Sequence, residues 1–189
     1  MHNLCKTIIF FLVFCFSIML QPLIVCLWER KDHKMSIAKE LHFDVLMTDV
    51  KAQAQSKVFE ILAKEAAPTC GVDADVLYNV FDQNAEDRTF SLEDGVAIFD
   101  VKSTHIKTPT LAVMTFDRDI DFNTMDGKPV NIMAAVLSPQ SCGPVHLQRL
   151  ANVSRVLRSH DLCMALREVD NTDAMRALFM PTQDWMLAA

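Results

Sequence analysis

Glycine is scarce in this chain, with four in 189 residues beside seven prolines, two tryptophans and one tyrosine. So little glycine excludes a collagen-like chain, and the mixed residue usage excludes a low-complexity one. The six cysteines (Cys5, Cys15, Cys26, Cys70, Cys142 and Cys163) form no CxxC pair and no Cys/His ligand spacing. Neither a disulfide scaffold nor a zinc site can be read from them, and the last three read as buried or incidental thiols of a reducing compartment. P-loop, dinucleotide fingerprint, nucleophile elbow and His-Glu-x-x-His motif are all missing, so no cofactor and no metal are implied. Excess positive charge is missing too. The net charge is −6, residues 1–34 carry +2, and the remainder therefore carries −8. A nucleic-acid surface wants a basic face, so the partner expected here is a protein with a basic patch, or a small molecule.

What is present begins with an apolar leader. Residues 8–27, IIFFLVFCFSIMLQPLIVCL, carry no charge. Three readings stand. Twenty such residues can span a bilayer, and the following Arg30, Lys31 and Lys34 would leave the downstream domain on the cytoplasmic side. A cleaved signal peptide is the second reading, weakened by the lack of a small-x-small site. The third is an upstream start, with Met35 as the true initiator and residues 35–189 as the domain. In each of the first and third readings the domain is cytoplasmic.

The domain reads as alternating helices and strands. Ser56 is expected to cap a helix over 57–67, with Val58, Ile61, Leu62 and Glu65 at helical spacing and Pro68 and Gly71 as its stop. Asp73 caps a second helix, whose Val76, Leu77, Val80 and Phe81 form a core stripe. Three strands are expected at Val96–Phe99, Leu111–Phe116 and Val130–Leu137, the last covered on both faces. A long helix over 144–159 is expected to bury Leu147, Leu150, Ala151, Ser154 and Leu157 and to expose Gln148, Arg149, Arg155 and Arg158. Helices over 161–168 and 172–180 close the chain. The order implies an α/β fold, a sheet with helices on both faces.

Three stretches carry a family resemblance: GVAIFD (Gly95–Asp100), DIDFNTMDGKPVNIMAAVLSP (Asp119–Pro139) and GPVHLQRLANVSRVLRS (Gly143–Ser159). Together they resemble enzyme IIA of the phosphoenolpyruvate-dependent sugar phosphotransferase system, fructose/mannitol type, and within it the nitrogen-regulatory branch. The resemblance covers about residues 36–180 and implies a mixed sheet flanked by helices on both faces. It also implies a phosphoryl carrier that takes its group on a histidine from an HPr-like carrier. The family's acceptor ends a strand written Gly-Ile/Val-Ala-Ile-Pro-His, a second histidine opens the long helix, and an arginine precedes a Gly-Ser-Thr-Gly loop.

This chain departs from that pattern at its chemistry. Phe99-Asp100 stands where the family has Pro-His. The glycine-rich loop has become Arg88–Asp94, keeping little beyond Thr89 and the final Gly95, and the family's arginine falls on Asn84. His146 matches the second histidine. A carboxylate at Asp100 would repel an incoming phosphoryl group, and lost glycines deny backbone amides a close approach to it. Asp100 is then either a fixed negative charge in place of a phosphohistidine or drift after lost activity. An acyl phosphate on Asp100, with Glu93 and Asp94 nearby in sequence, has thin support. His105 is the alternative acceptor, in a polar loop where the bland reading is an ordinary surface residue. His146 lies at a helix start that favours anions, and its bland reading is retained packing. Arg149, Arg155 and Arg158 are a solvated face or a docking surface. The expected function is regulation by docking onto an HPr-like phosphocarrier or a transporter or sensor-kinase protein, without nucleic acid. The alternative is an active carrier with a displaced acceptor. A membrane enters only if residues 8–27 are a real anchor.

Overall fold

The computed structural model describes residues 41–85, 89–92, 94–122 and 127–180, all within the unit Ala38–Ala189. The leader over 8–27, Met35, Arg88 and Glu93 lie outside the described residues. Among those described, no helix is long and apolar enough to cross a membrane.

The elements run β1 (Val45–Val50), α1 (Gln55–Cys70), α2 (Ala74–Asn84), β2 (Thr89–Ser91), β3 (Val96–Ser103), β4 (Thr110–Ile120), β5 (Val130–Pro139), α3 (Gly143–Val156), α4 (His160–Glu168) and α5 (Thr172–Phe179). The five strands form one sheet in the order β1-β4-β5-β3-β2. β1 is parallel to β4 and β3 to β5, whereas β4–β5 and β2–β3 are antiparallel. The sheet is therefore mixed, with helices on both faces, as expected.

Side-chain alternation divides the sheet between two layers. Ala97, Phe99 and Val101 of β3 and Met133, Ala135 and Leu137 of β5 join the core formed with α1 and α2. Their alternates, Ile98 and Asp100 on β3 and Ala134, Val136 and Ser138 on β5, face the layer of α3 and α4. At the centre of the first layer Phe59 stacks on Phe99, ring centroids 4.5 Å apart, and Phe81 meets Phe99 edge-on at 5.3 Å. Such pairs add to the burial of three large rings and tie α1 and α2 to β3.

The helices follow their local signals with two corrections. Asp73 caps α2 by accepting from the Asp75 amide at 2.9 Å. Ser56 does not cap α1. That helix begins at Gln55 after Ala54, without a side-chain cap, and it runs through Pro68 to Cys70 before Gly71 ends it at φ +67°. Pro68 has no amide proton and deprives the helix of one bond, to the Lys64 carbonyl a turn back, and the left-handed backbone at Gly71 suits a residue without Cβ. Strand β3 runs four residues beyond its expected end, because its parallel pairing with β5 continues from Val96↔Ile132 to Ser103↔Pro139. Strands β1 and β2 were not expected. β1 is only half-buried and is irregular near Asp49, at φ +51°, and β2 has three residues. β1 presents no clean alternation of apolar and polar residues, and the three residues of β2 are too few to reveal one.

Candidate functional site: a closed carboxylate–imidazole centre

The extension of β3 decides where Asp100 sits. Expected just beyond a strand, it is instead inside one, opposite Val136 of β5, with its side chain turned away from the phenylalanine core. It is 7% exposed, the sole buried carboxylate among the described residues. A lone carboxylate cannot stay charged at such a place without a partner.

Its partner arrives from α3. The helix starts after Cys142 with Pro144 in its first turn, where a missing amide proton costs nothing, and the His146 amide donates to the Cys142 carbonyl at 3.0 Å. The start turns His146 inward. His146 is 1% exposed, and its Nε2 lies 2.6 Å from Asp100 Oδ1. Two lone pairs would repel at that distance, so a proton lies between the two atoms. The approach is off the line of a well-formed hydrogen bond, and among the described residues Nδ1 has no partner. The contact is a close carboxylate–imidazole pair enclosed by protein.

Turning His146 inward rotates the whole helix against the expected face. The buried residues are His146, Val153 and Val156, with Arg149 and Leu150 half-buried between them. Leu147, expected inside, is 63% exposed, and its neighbour Val145 is 54% exposed. Ala151 is exposed as well, whereas Leu157 is buried as expected. Arg149, expected among the solvated arginines, lies on the inner stripe and buries its Nη1 completely. Arg155 and Arg158 are exposed as expected.

One polar group of this region was not singled out from sequence. Ser138 of β5 is fully buried, and its hydroxyl has no partner. It stands two residues beyond Val136, the residue paired with Asp100, and so faces the same helix layer. The signal was the one serine at the end of an otherwise apolar alternation.

The other candidates lie apart from this centre. His105 is exposed after β3, and with Thr104 and Lys107 it lines an open groove of about 550 Å³ against Pro68, Gly71 and Asp73. That groove belongs to the α1–α2 layer, on the sheet face opposite Asp100. Asn84 donates to the Val80 carbonyl at 2.7 Å, and Thr89 to the Ala85 carbonyl at 2.8 Å; both serve the local chain. Asp94, at φ +61°, pairs with His160 of α4 at 2.8 Å, and Arg167 donates to the Asp94 carbonyl and to Asn131 Oδ1. The hydrogen bond from His160 is the main reason that the Asp94 carboxyl is held below its ordinary range. This network clamps α4 to the turn before β3. Among the described residues no group of His, Cys, Asp and Glu could hold a metal.

A mixed five-stranded sheet between two helical layers, with a histidine from the first turn of a helix buried against a strand carboxylate, defines a small α/β domain with a polar centre under that helix. The model of the family "Phosphoenolpyruvate-dependent sugar phosphotransferase system, EIIA 2" matches residues 41–180, and the chain belongs to that family. A nitrogen regulatory protein from Bradyrhizobium diazoefficiens is 30% identical over 137 residues, 70% of this chain and 86% of the relative. The fold is similar to that of the nitrogen regulatory protein IIA-Ntr from Neisseria meningitidis, with TM-score 0.64 and 20% identity over 71% of this chain and 92% of that one. It is likewise similar to enzyme IIA-mannitol from Escherichia coli, solved in complex with phosphorylated enzyme IIB-mannitol, with TM-score 0.60 and 9% identity over 74% and 96%. The chain is thus a type 2 enzyme IIA similar to the nitrogen-regulatory branch.

Proposed function

We propose that this enzyme IIA is a regulator that works by docking onto proteins and carries no phosphoryl group. Asp100 takes the place of the family's acceptor histidine. The observation that carries the reading is the 2.6 Å contact between Asp100 Oδ1 and His146 Nε2, with both residues buried. A phosphoryl acceptor needs an exposed nucleophilic nitrogen and donors arranged around the incoming oxygens. Here Nε2 faces a carboxylate and Nδ1 is enclosed, so a donor's phosphoryl group meets neither. Asp100 then acts as a permanent negative charge beneath the docking surface. That surface includes Val145 and Leu147, exposed on either side of His146, with Arg155 near the end of α3 and Arg158 in the turn after it. Its partners are an HPr-like phosphocarrier or transporter and sensor-kinase proteins, met in the cytoplasm by the domain over 35–189.

The test is incubation of the full chain with phosphoenolpyruvate, enzyme I and an HPr-like carrier, read by intact mass. The expected result is no added phosphoryl group while a histidine-bearing enzyme IIA in the same tube is fully modified. Stoichiometric modification would overturn the reading. The alternative, a carrier with a displaced acceptor, draws on the exposure of His105. It predicts a label that His105→Ala abolishes.

A further inference from the structure

Arg149 was expected in solvent, yet the end of its side chain is enclosed, and that placement needs a charge-based reason. Three observations converge on one. Arg149 follows His146 by three residues, so both stand on the face of α3 that packs on the sheet. Its Nη1 is completely buried and makes no hydrogen bond among the described residues, while the residue as a whole is half-buried, so one arm of the guanidinium is held out of water. On the sheet face below, β3 and β5 present Ile98, Ala134, Val136, Ser138 and Asp100, and Asp100 holds the one negative charge of that set. No other carboxylate among the described residues is buried.

From this we infer that Arg149 is the counter-charge of the buried Asp100–His146 pair, a positioning residue that acts on Asp100 by long-range attraction and not by direct contact. In a poorly screened interior a unit charge acts well beyond hydrogen-bond distance. A neutral imidazole supplies a proton to the carboxylate but no net charge. Arg149 supplies that charge from the helix that covers the 7%-exposed Asp100. The unpartnered hydroxyl of Ser138 belongs to the same polar centre. The inference rests on burial and register alone, so it survives whether or not any residue of the protein is phosphorylated.

A double-mutant cycle on the full chain tests it. Urea unfolding is followed by circular dichroism for Arg149→Met, Arg149→Lys and Asp100→Asn, and for each Arg149 variant combined with Asp100→Asn. Arg149→Met is expected to lower the folding equilibrium constant about tenfold or more in the native background, and less than about threefold once Asp100 is uncharged. Arg149→Lys, which keeps the charge and changes the shape, is expected to recover most of the loss. A loss equal in both backgrounds, or a lysine as damaging as methionine, would overturn the inference. Should Arg149→Met fail to fold in the native background, Asp100→Asn must restore folding to it. A double variant that also fails to fold refutes the counter-charge role.

Discussion

Removing His146 alone is the most telling perturbation of this protein. The Asp100 side chain is 10% exposed and that of His146 is 2% exposed, so solvent screens their contact weakly. His146→Ala deletes the imidazole in contact with the carboxylate and leaves an incompletely compensated charge in an apolar layer. Breaking a buried pair from one side costs about 3–5 kcal/mol. Domains of this size hold only about 5–15 kcal/mol in total. With a urea slope of about 2 kcal/mol/M, the unfolding midpoint should fall by about 1.5–2.5 M. The residual attraction of Arg149 places the expected value toward the lower end. Replacing both partners together, Asp100→Val with His146→Leu, removes the charges along with their desolvation. Such exchanges are often neutral, but this one also leaves Arg149 without its counter-charge, so the double variant should fall between the native protein and His146→Ala. Circular dichroism during urea titration reads all three proteins. If His146→Ala costs less than about 1 kcal/mol, the pair is not a buried charge pair, and the closed centre loses its physical basis.

Three further outcomes follow from other parts of the fold. Gly95→Ala should destabilise by about 1–2 kcal/mol from its left-handed backbone alone, since its φ is +69°, and a Cβ there would also stand 3.3 Å from the Pro129 carbonyl; thermal unfolding checks this. Burial pushes the thiols of Cys70 and Cys163 up, so less reactive thiolate forms. Among the three described cysteines, alkylation of the folded protein with peptide mapping should mark half-exposed Cys142 first, and Cys70 and Cys163 only on unfolding. At Asp94 the hydrogen bond from His160 holds the carboxyl below its ordinary value, so its contribution is present above the ordinary carboxylate range and is lost as the pH falls through the depressed value. His160→Ala should move the Asp94 titration upward, read by carboxyl ¹³C shifts; an unmoved titration would remove His160 as the cause.

The parts legible in the sequence were those governed by local periodicity. The stripe of Leu77, Val80 and Phe81, the Asp73 cap and the apolar run of β5 each reveal an element because neighbouring residues suffice to specify it. The site was legible as residues and illegible as an arrangement. Asp100 and His146 could be named from motif positions, but their contact spans 46 positions of chain and depends on how far β3 pairs with β5. The rotation of α3 was hidden for a similar reason. Its sequence offers Leu147, Leu150 and Ala151 as an apolar face at acceptable helical spacing, and propensity cannot choose between that face and one bearing a histidine and an arginine. A buried carboxylate on the sheet makes the choice. It draws the polar stripe inward and leaves Val145 and Leu147 in solvent.

That exchange bears on function directly. A helix that buries His146 and Arg149 while exposing valine and leucine in its first turn gives up hydrophobic burial worth about 1.5–3 kcal/mol per large apolar side chain. Satisfying Asp100 from within offsets part of that loss, and the exposed apolar residues remain as contact area for a partner. On the proposed docking role, the same Asp100–His146 contact would both close the centre to a phosphoryl donor and turn an apolar edge outward. If the two effects share this cause, the double replacement Asp100→Val with His146→Leu should keep the fold and weaken binding to an HPr-like carrier, because the charge beneath the surface is gone. Asp100→Asn alone should weaken binding to a similar degree while leaving the first turn of α3 in place. Isothermal titration against the carrier measures both, and unchanged affinity in Asp100→Asn would separate the closed centre from the docking surface.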